Sequence, residues 1–161
     1  MKILTMFALA AATLAIAVVG AGQLGLLSGA LPEQLGVIGG RLQQPSANPN
    51  SVSSQAALYP GHPQLAYANI EPLSFNGEGE AAMSRLAALL GQSSGILIVK
   101  RQPDYIYAQC TTPVLRFTDD VEFWLDRSAG EIHLRSASRL GRKDFGANRA
   151  RIEAIRARFQ P

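Results

Sequence analysis

One cysteine, two histidines and one tryptophan are all that the 161 residues hold of those types. A lone Cys110 excludes an internal disulfide, so the chain tolerates an oxidising compartment without needing one. It falls in a β-rich run with no cationic neighbour in sequence, the setting of a small buried apolar residue rather than a reactive thiol. His62 and His133 lie far apart, with no Cys or His at ligand spacing, and a zinc site therefore lacks its ligands. No lipobox cysteine stands near the N-terminus, which removes lipid anchoring there. No Gly-x-Ser-x-Gly elbow surrounds Ser53 and Ser54; beside Pro and Asn these serines read as turn formers, not as a nucleophile with His62 as its base.

Charge is missing from a long stretch at the start. After Lys2 none occurs until Glu33, and Ile3 to Val19 is almost wholly apolar, with no polar face of the kind a buried core helix shows. About 20 residues at 1.5 Å each span the hydrocarbon of a bilayer. Residues 1–31 are thus expected to be either a retained transmembrane anchor or a cleaved signal peptide, with Ser28-Gly29-Ala30 or Val19-Gly20-Ala21 as small-residue cleavage patterns. Both readings place the rest of the chain outside the cytoplasm: at the cell membrane facing the periplasm or exterior, or free in the periplasm after cleavage. Lys2 as the one basic flank agrees with that orientation.

What remains is about the size of one ordinary domain. Its charge is uneven. Residues 32–131 carry ten acids and six bases, whereas residues 132–161 carry eight bases against Asp144 and Glu153. The tail arginines spread around a helix, which reads as a solvated face paired with the acidic body, and nucleic acid is not an expected partner.

Residues 32–44 read as a linker and 45–161 as the domain. Pro45, Pro49, Pro60 and Pro63 keep the stretch from 40 to 63 out of regular helix. Ile70 to Phe75 has the make-up of a short strand that Pro72 restricts to an edge. Ala82, Leu86, Leu89 and Leu90 recur at helical spacing up to Gly91. Ile96–Arg101 and Tyr105–Thr111 form a hairpin through Pro103-Asp104. From Leu115 to Leu125 the odd positions are apolar except Asp119, and the even ones include Arg116, Asp120 and Glu122. Pairing this strand with Glu131–Ser136, so that Phe123 meets Leu134, sets Glu122 opposite Arg135. The last helix starts near Asp144, its N-cap, and runs to Phe159 with Ile152, Ile155 and Phe159 in one stripe that reaches Asn148. The expected class is α+β: an antiparallel meander of about four strands with two helices on one face, preceded by the apolar N-terminal helix.

Three motifs in order carry a family resemblance: Asn48-Pro-Asn-Ser-Val-Ser-Ser-Gln55, Arg116-Phe-Thr-Asp-Asp-Val-Glu-Phe123, and Arg135-Ser-Ala-Ser-Arg-Leu-Gly141 leading to Asn148-Arg149 and Glu153-Ala-Ile-Arg156. Over about residues 42–160 the chain resembles the DUF1499 family, a domain of unknown function often found with membrane segments. The resemblance implies no activity, cofactor or substrate. Family members often carry Cys in the first motif where this chain has Gln44 and Ser51, so any thiol or metal chemistry of such a pair has no counterpart here.

Asp119 is the sharpest single residue, because a carboxylate on an apolar strand face must be paired or hydrogen-bonded. Arg135 or Arg139 is its expected partner. The candidate site is a polar pocket of Asp119, Asp120, Arg135, Ser136, Ser138 and Arg139 with Asn148 nearby, whose arginines offer forked donors to a carboxylate or phosphate. No residue is assigned a catalytic role, and no metal or cofactor is expected. The expected function is a membrane-tethered, non-catalytic binding domain outside the cytoplasm, meeting a small anionic ligand, a lipid headgroup or an envelope protein. The alternatives are a hydrolase using Asp119 or Asp120 with an activated water, and a purely structural envelope protein.

Overall fold

The computed structural model describes residues 2–159; Gln160 and Pro161, the end of the expected domain range, lie outside the described residues. Helix α1, Lys2–Gln23, is about 33 Å long at 1.5 Å per residue. It is long and apolar enough to cross a membrane, and its most apolar window buries nothing against the rest of the chain. Its C-terminal end does touch the domain. Gly22 is buried, and a Cβ there would come within 2.4 Å of the Leu115 carbonyl oxygen. Gln23 Nε2 donates to the Val114 carbonyl at 2.9 Å.

After α1 come β1 (Ser51–Ser53), one turn of 3-10 helix (Ala56–Leu58), α2 (Leu65–Ala68), β2 (Leu73–Ser74), α3 (Gly79–Gly91), β3 (Ile96–Arg101), β4 (Tyr105–Thr111), β5 (Thr118–Asp126), β6 (Glu131–Ser138) and α4 (Ala147–Phe159). The sheet has six strands in the order β1-β6-β5-β4-β3, with β2 also on β6, and every pairing is antiparallel. The α+β class therefore holds, but four strands is an undercount. The expected meander is β3 to β6. The short edge strand expected within Ile70 to Phe75 is β2, two residues on the other edge of β6, and the addition is β1, three residues on that same edge, too few to show a period of two.

The hairpin β3–β4 has its expected bounds, and β5–β6 its expected register, with Phe123 opposite Leu134 and Glu122 opposite Arg135. β5 starts later than the alternation suggests. Arg116 sits at φ +57°, and Thr112 closes the loop: its N–H donates to the Phe117 carbonyl, and its Oγ1 accepts the Phe117 N–H, so Leu115 to Phe117 turn instead of extending.

On one face of the sheet α3 and α4 bury Leu86, Leu90, Ile106, Phe123, Leu134 and Ile152 in a single apolar core. The second face is covered as well. Residues 35–42, expected as linker, lie across it, where Leu42 packs with Tyr105, Tyr107, Val37 and Trp124. As a result β5 is buried on both faces over its first six residues.

Candidate functional site

Alternation along β5 sends Asp119 to the helix-covered face and Asp120 and Glu122 to the other. All three carboxylates are buried. Burial of a charge without a partner costs several kcal/mol, and each has found one arginine.

On the helix face the partner of Asp119 is Arg151 of α4, at 2.6 Å. This corrects the expectation of Arg135 or Arg139. Both of those arginines leave β6 and its exit loop toward the opposite face, whereas α4 lies directly over Asp119. Arg151 also donates to Asn148 Oδ1 at 2.8 Å and Ser136 Oγ at 3.1 Å. Asn148, fully buried, donates through Nδ2 to the Asn50 carbonyl, Ser138 Oγ and Asp144 Oδ2. Asp144 in turn receives Tyr67 OH and the backbone N–H of Gly146 and Asn148. Burial raises the Asp144 pKa, but those hydrogen bonds outweigh it and hold the carboxyl below its ordinary range.

On the second face Arg139 grips Asp120 with two parallel bonds, Nε at 2.8 Å and Nη2 at 2.7 Å, and Nη2 also donates to Tyr107 OH. The pair with Asp120 raises the Arg139 pKa further. Tyr107 OH donates to Asp120 at 2.6 Å, and Tyr105 OH to Glu122 at 2.7 Å. Burial foremost, then the adjacent carboxylate, pushes both phenols above their usual range. Glu122 also takes the backbone N–H of Gly36, from the covering segment, at 2.7 Å.

Arg135 is held less well. Its one side-chain hydrogen bond, Nη1 to Glu122, is 3.4 Å long, and its buried Nε has no partner among the described residues. Arg135, Arg139 and Asp120 line an open cleft of about 390 Å³, whose opposite wall is Ala30 and Pro32, just after the apolar helix, and the run Gln43 to Ala47. Gln43 also has a buried Oε1 with no partner.

The expected pocket is thus two sites. Asp119, Ser136 and Asn148 join Arg151 within the helix face. Asp120, Arg135 and Arg139 border the cleft, and Ser138 touches both. Arg151, Tyr105 and Tyr107 join the expected site residues. The tyrosines flank Ile106 at a spacing of two on a doubly buried strand, and that spacing is their one signal in the sequence.

Cys110 is buried, and burial pushes its thiol up to about 11. His62 Nε2 lies 3.1 Å from the Pro45 carbonyl. Ser54 pairs instead with His133 Nδ1 at 3.1 Å, while His133 Nε2 is 3.9 Å from Asp126, beyond hydrogen-bond reach. Ser54 Oγ also accepts the Leu134 N–H, so the group ties β6 to the segment after β1. Among the described residues no three His, Cys, Asp or Glu side chains are placed to share a metal ion.

A family model described as a protein of unknown function, DUF1499, matches residues 41–159. No curated protein and no solved structure matches the chain.

Proposed function

The chain belongs to the DUF1499 family, and from the cleft beside its N-terminal helix we propose that it is a membrane-tethered, non-catalytic domain outside the cytoplasm that binds a small oxyanion, a carboxylate or phosphate. The observation that carries this reading is Arg135: buried, with a 3.4 Å contact to Glu122 and an Nε without an acceptor, on the wall of an open cleft. A buried guanidinium short of acceptors is costly, and an oxyanion that enters the cleft supplies one in the forked geometry that arginine favours. Arg139 is already spent on Asp120 and shapes the wall instead of binding.

In this reading α1 remains attached and holds the cleft near the bilayer surface, since Ala30 and Pro32 belong to the cleft wall. A free metabolite and a lipid headgroup both present such an oxyanion, and the same donor serves both. A hydrolase that uses Asp119 or Asp120 with an activated water fits poorly, because each carboxylate is buried and locked to an arginine.

The test is a calorimetric titration of the detergent-solubilised full chain with inorganic phosphate and with acetate. Saturable binding is expected for one of them, and Arg135→Lys, which keeps the charge but loses the fork, should weaken it at least about tenfold, the worth of one charge-assisted hydrogen bond. No saturable binding of either anion refutes the proposal and leaves the purely structural reading.

A further inference from the structure

The strand directions place one end of the sheet beside the exit of α1. β4 ends there, β5 begins there, β6 ends there and α4 begins there, so the loops 112–117 and 139–146 share that end. Both loops touch the segment that leaves the helix. Gly22 and Gln23 meet Leu115 and Val114, and a Cβ on Gly29 would lie 2.7 Å from Arg139 Cβ and 3.0 Å from Leu140 Cγ.

These loops are unusual in what they expose. Val114 and Leu140 are exposed, and Phe145 is 94% exposed. Phe145 also stands at φ +53°, where a side chain is strained. Its loop is not loose, because Asp144 beside it anchors Tyr67, Gly146 and Asn148. An aromatic ring is thus held outward at a cost by a fixed turn. In the same two loops Arg116, Arg142 and Lys143 are exposed and have no side-chain hydrogen bond or ion pair among the described residues. The opposite end of the sheet is mixed in sign, with Asp104, Asp126 and Glu131 beside Lys100, Arg101 and Arg127, the last paired to Glu80.

We infer that this end of the domain seats on an anionic bilayer, with Phe145, Val114 and Leu140 in the interfacial layer and Arg116, Arg142 and Lys143 among the lipid phosphates. The inference rests on the retention of α1 as an anchor, and it is independent of what the cleft binds. Apolar side chains rimmed by bases are the make-up of an interfacial surface, and continuity with an apolar span of membrane length fixes which surface it is. A tether alone leaves the domain free to tilt; a seated end fixes its orientation and the height of the cleft above the lipid.

The experiment uses the full chain with Phe145→Trp, an exposed substitution, reconstituted into nanodiscs whose acyl chains carry bromine. Discs of phosphatidylcholine are compared with discs that also contain phosphatidylglycerol, and the natural chain gives the Trp124 background. The introduced indole should be quenched strongly in the anionic discs and weakly in the neutral ones. Adding Arg142→Gln and Lys143→Gln should return it toward the neutral level, since each base at such a surface changes partitioning by about fivefold. Chain that enters the discs with an indole unquenched in both lipids overturns the seating and leaves the tether intact. Equal quenching in both lipids overturns the role of the bases. A chain that fails to enter the discs at all overturns tether and seating together.

Discussion

Arg151 of α4 and Asp119 of β5 meet at 2.6 Å on the helix-covered face of the sheet, with the arginine 17% and the aspartate 7% exposed at their side chains. The pair stitches the last helix to the central strand at a point where apolar packing has given way to polar groups. Removing one member strands the other charge in a largely water-free place. Arg151→Ala should therefore cost about 3 kcal/mol in denaturant unfolding, the low end for a buried pair because the arginine keeps some water. Replacing both, Asp119→Asn with Arg151→Met, should recover most of it. A single variant as stable as the natural chain would show that the pair contributes nothing.

Asn148 is the second member of that island. It serves Ser136, Ser138, Asp144, Arg151 and the Asn50 carbonyl at once. Asn148→Ala leaves at least two of these groups buried and unsatisfied, for an expected loss of about 2 to 4 kcal/mol. Chemical unfolding reads the loss directly, and a change below about 0.5 kcal/mol would mean water replaces the amide at little cost.

Much of the fold was legible in the sequence. β-rich runs on either side of the Pro103-Asp104 turn located β3 and β4, and alternation set Glu122 against Arg135, because a one-residue slip would have turned Phe123 and Leu134 out of the core. The Asn148, Ile152, Ile155 and Phe159 stripe likewise faces inward. Two things escaped for physical reasons. A period of two says which residues share a face but not whether a distant segment covers it, so Asp120 and Glu122 read as outward until residues 35–42 are laid across them. Arg151 looked like one base of a solvated helix, since it sits beside the apolar stripe and its charge partner lies 32 residues earlier on another element.

Asp144 gives the domain an acid-sensitive joint. Its folded-state pKa lies below the ordinary 3.8, so its carboxylate contributes stability that is full above that value and is lost as pH falls through the folded-state pKa. The variant Asp144→Asn should be less stable than the natural chain at neutral pH, and the gap should close below about pH 4. Unfolding midpoints taken down the pH scale measure this. A gap that stays constant to low pH would show that the charge is not what Asp144 supplies.

Cys110 is the only thiol in the chain, and burial pushes its pKa up to about 11. Near pH 8 only about one molecule in a thousand is thiolate, and the sulfur is shielded besides. Alkylation should then follow opening of the sheet and accelerate in step with destabilising variants such as Arg151→Ala. Immediate labelling of the folded chain would contradict the burial of β4.

The proposed oxyanion site depends on an unfilled donor at Arg135 in the cleft. The most direct measurement is the ¹⁵N–¹H signal of its Nε, assigned by comparison with Arg135→Lys, followed during titration of the full chain with phosphate and with acetate. A saturable shift of that one signal is expected at millimolar anion, with the Arg139 Nε signal, already bound to Asp120, moving far less. An Arg135 signal that does not move with either anion, or that moves only in parallel with every surface arginine, would contradict it.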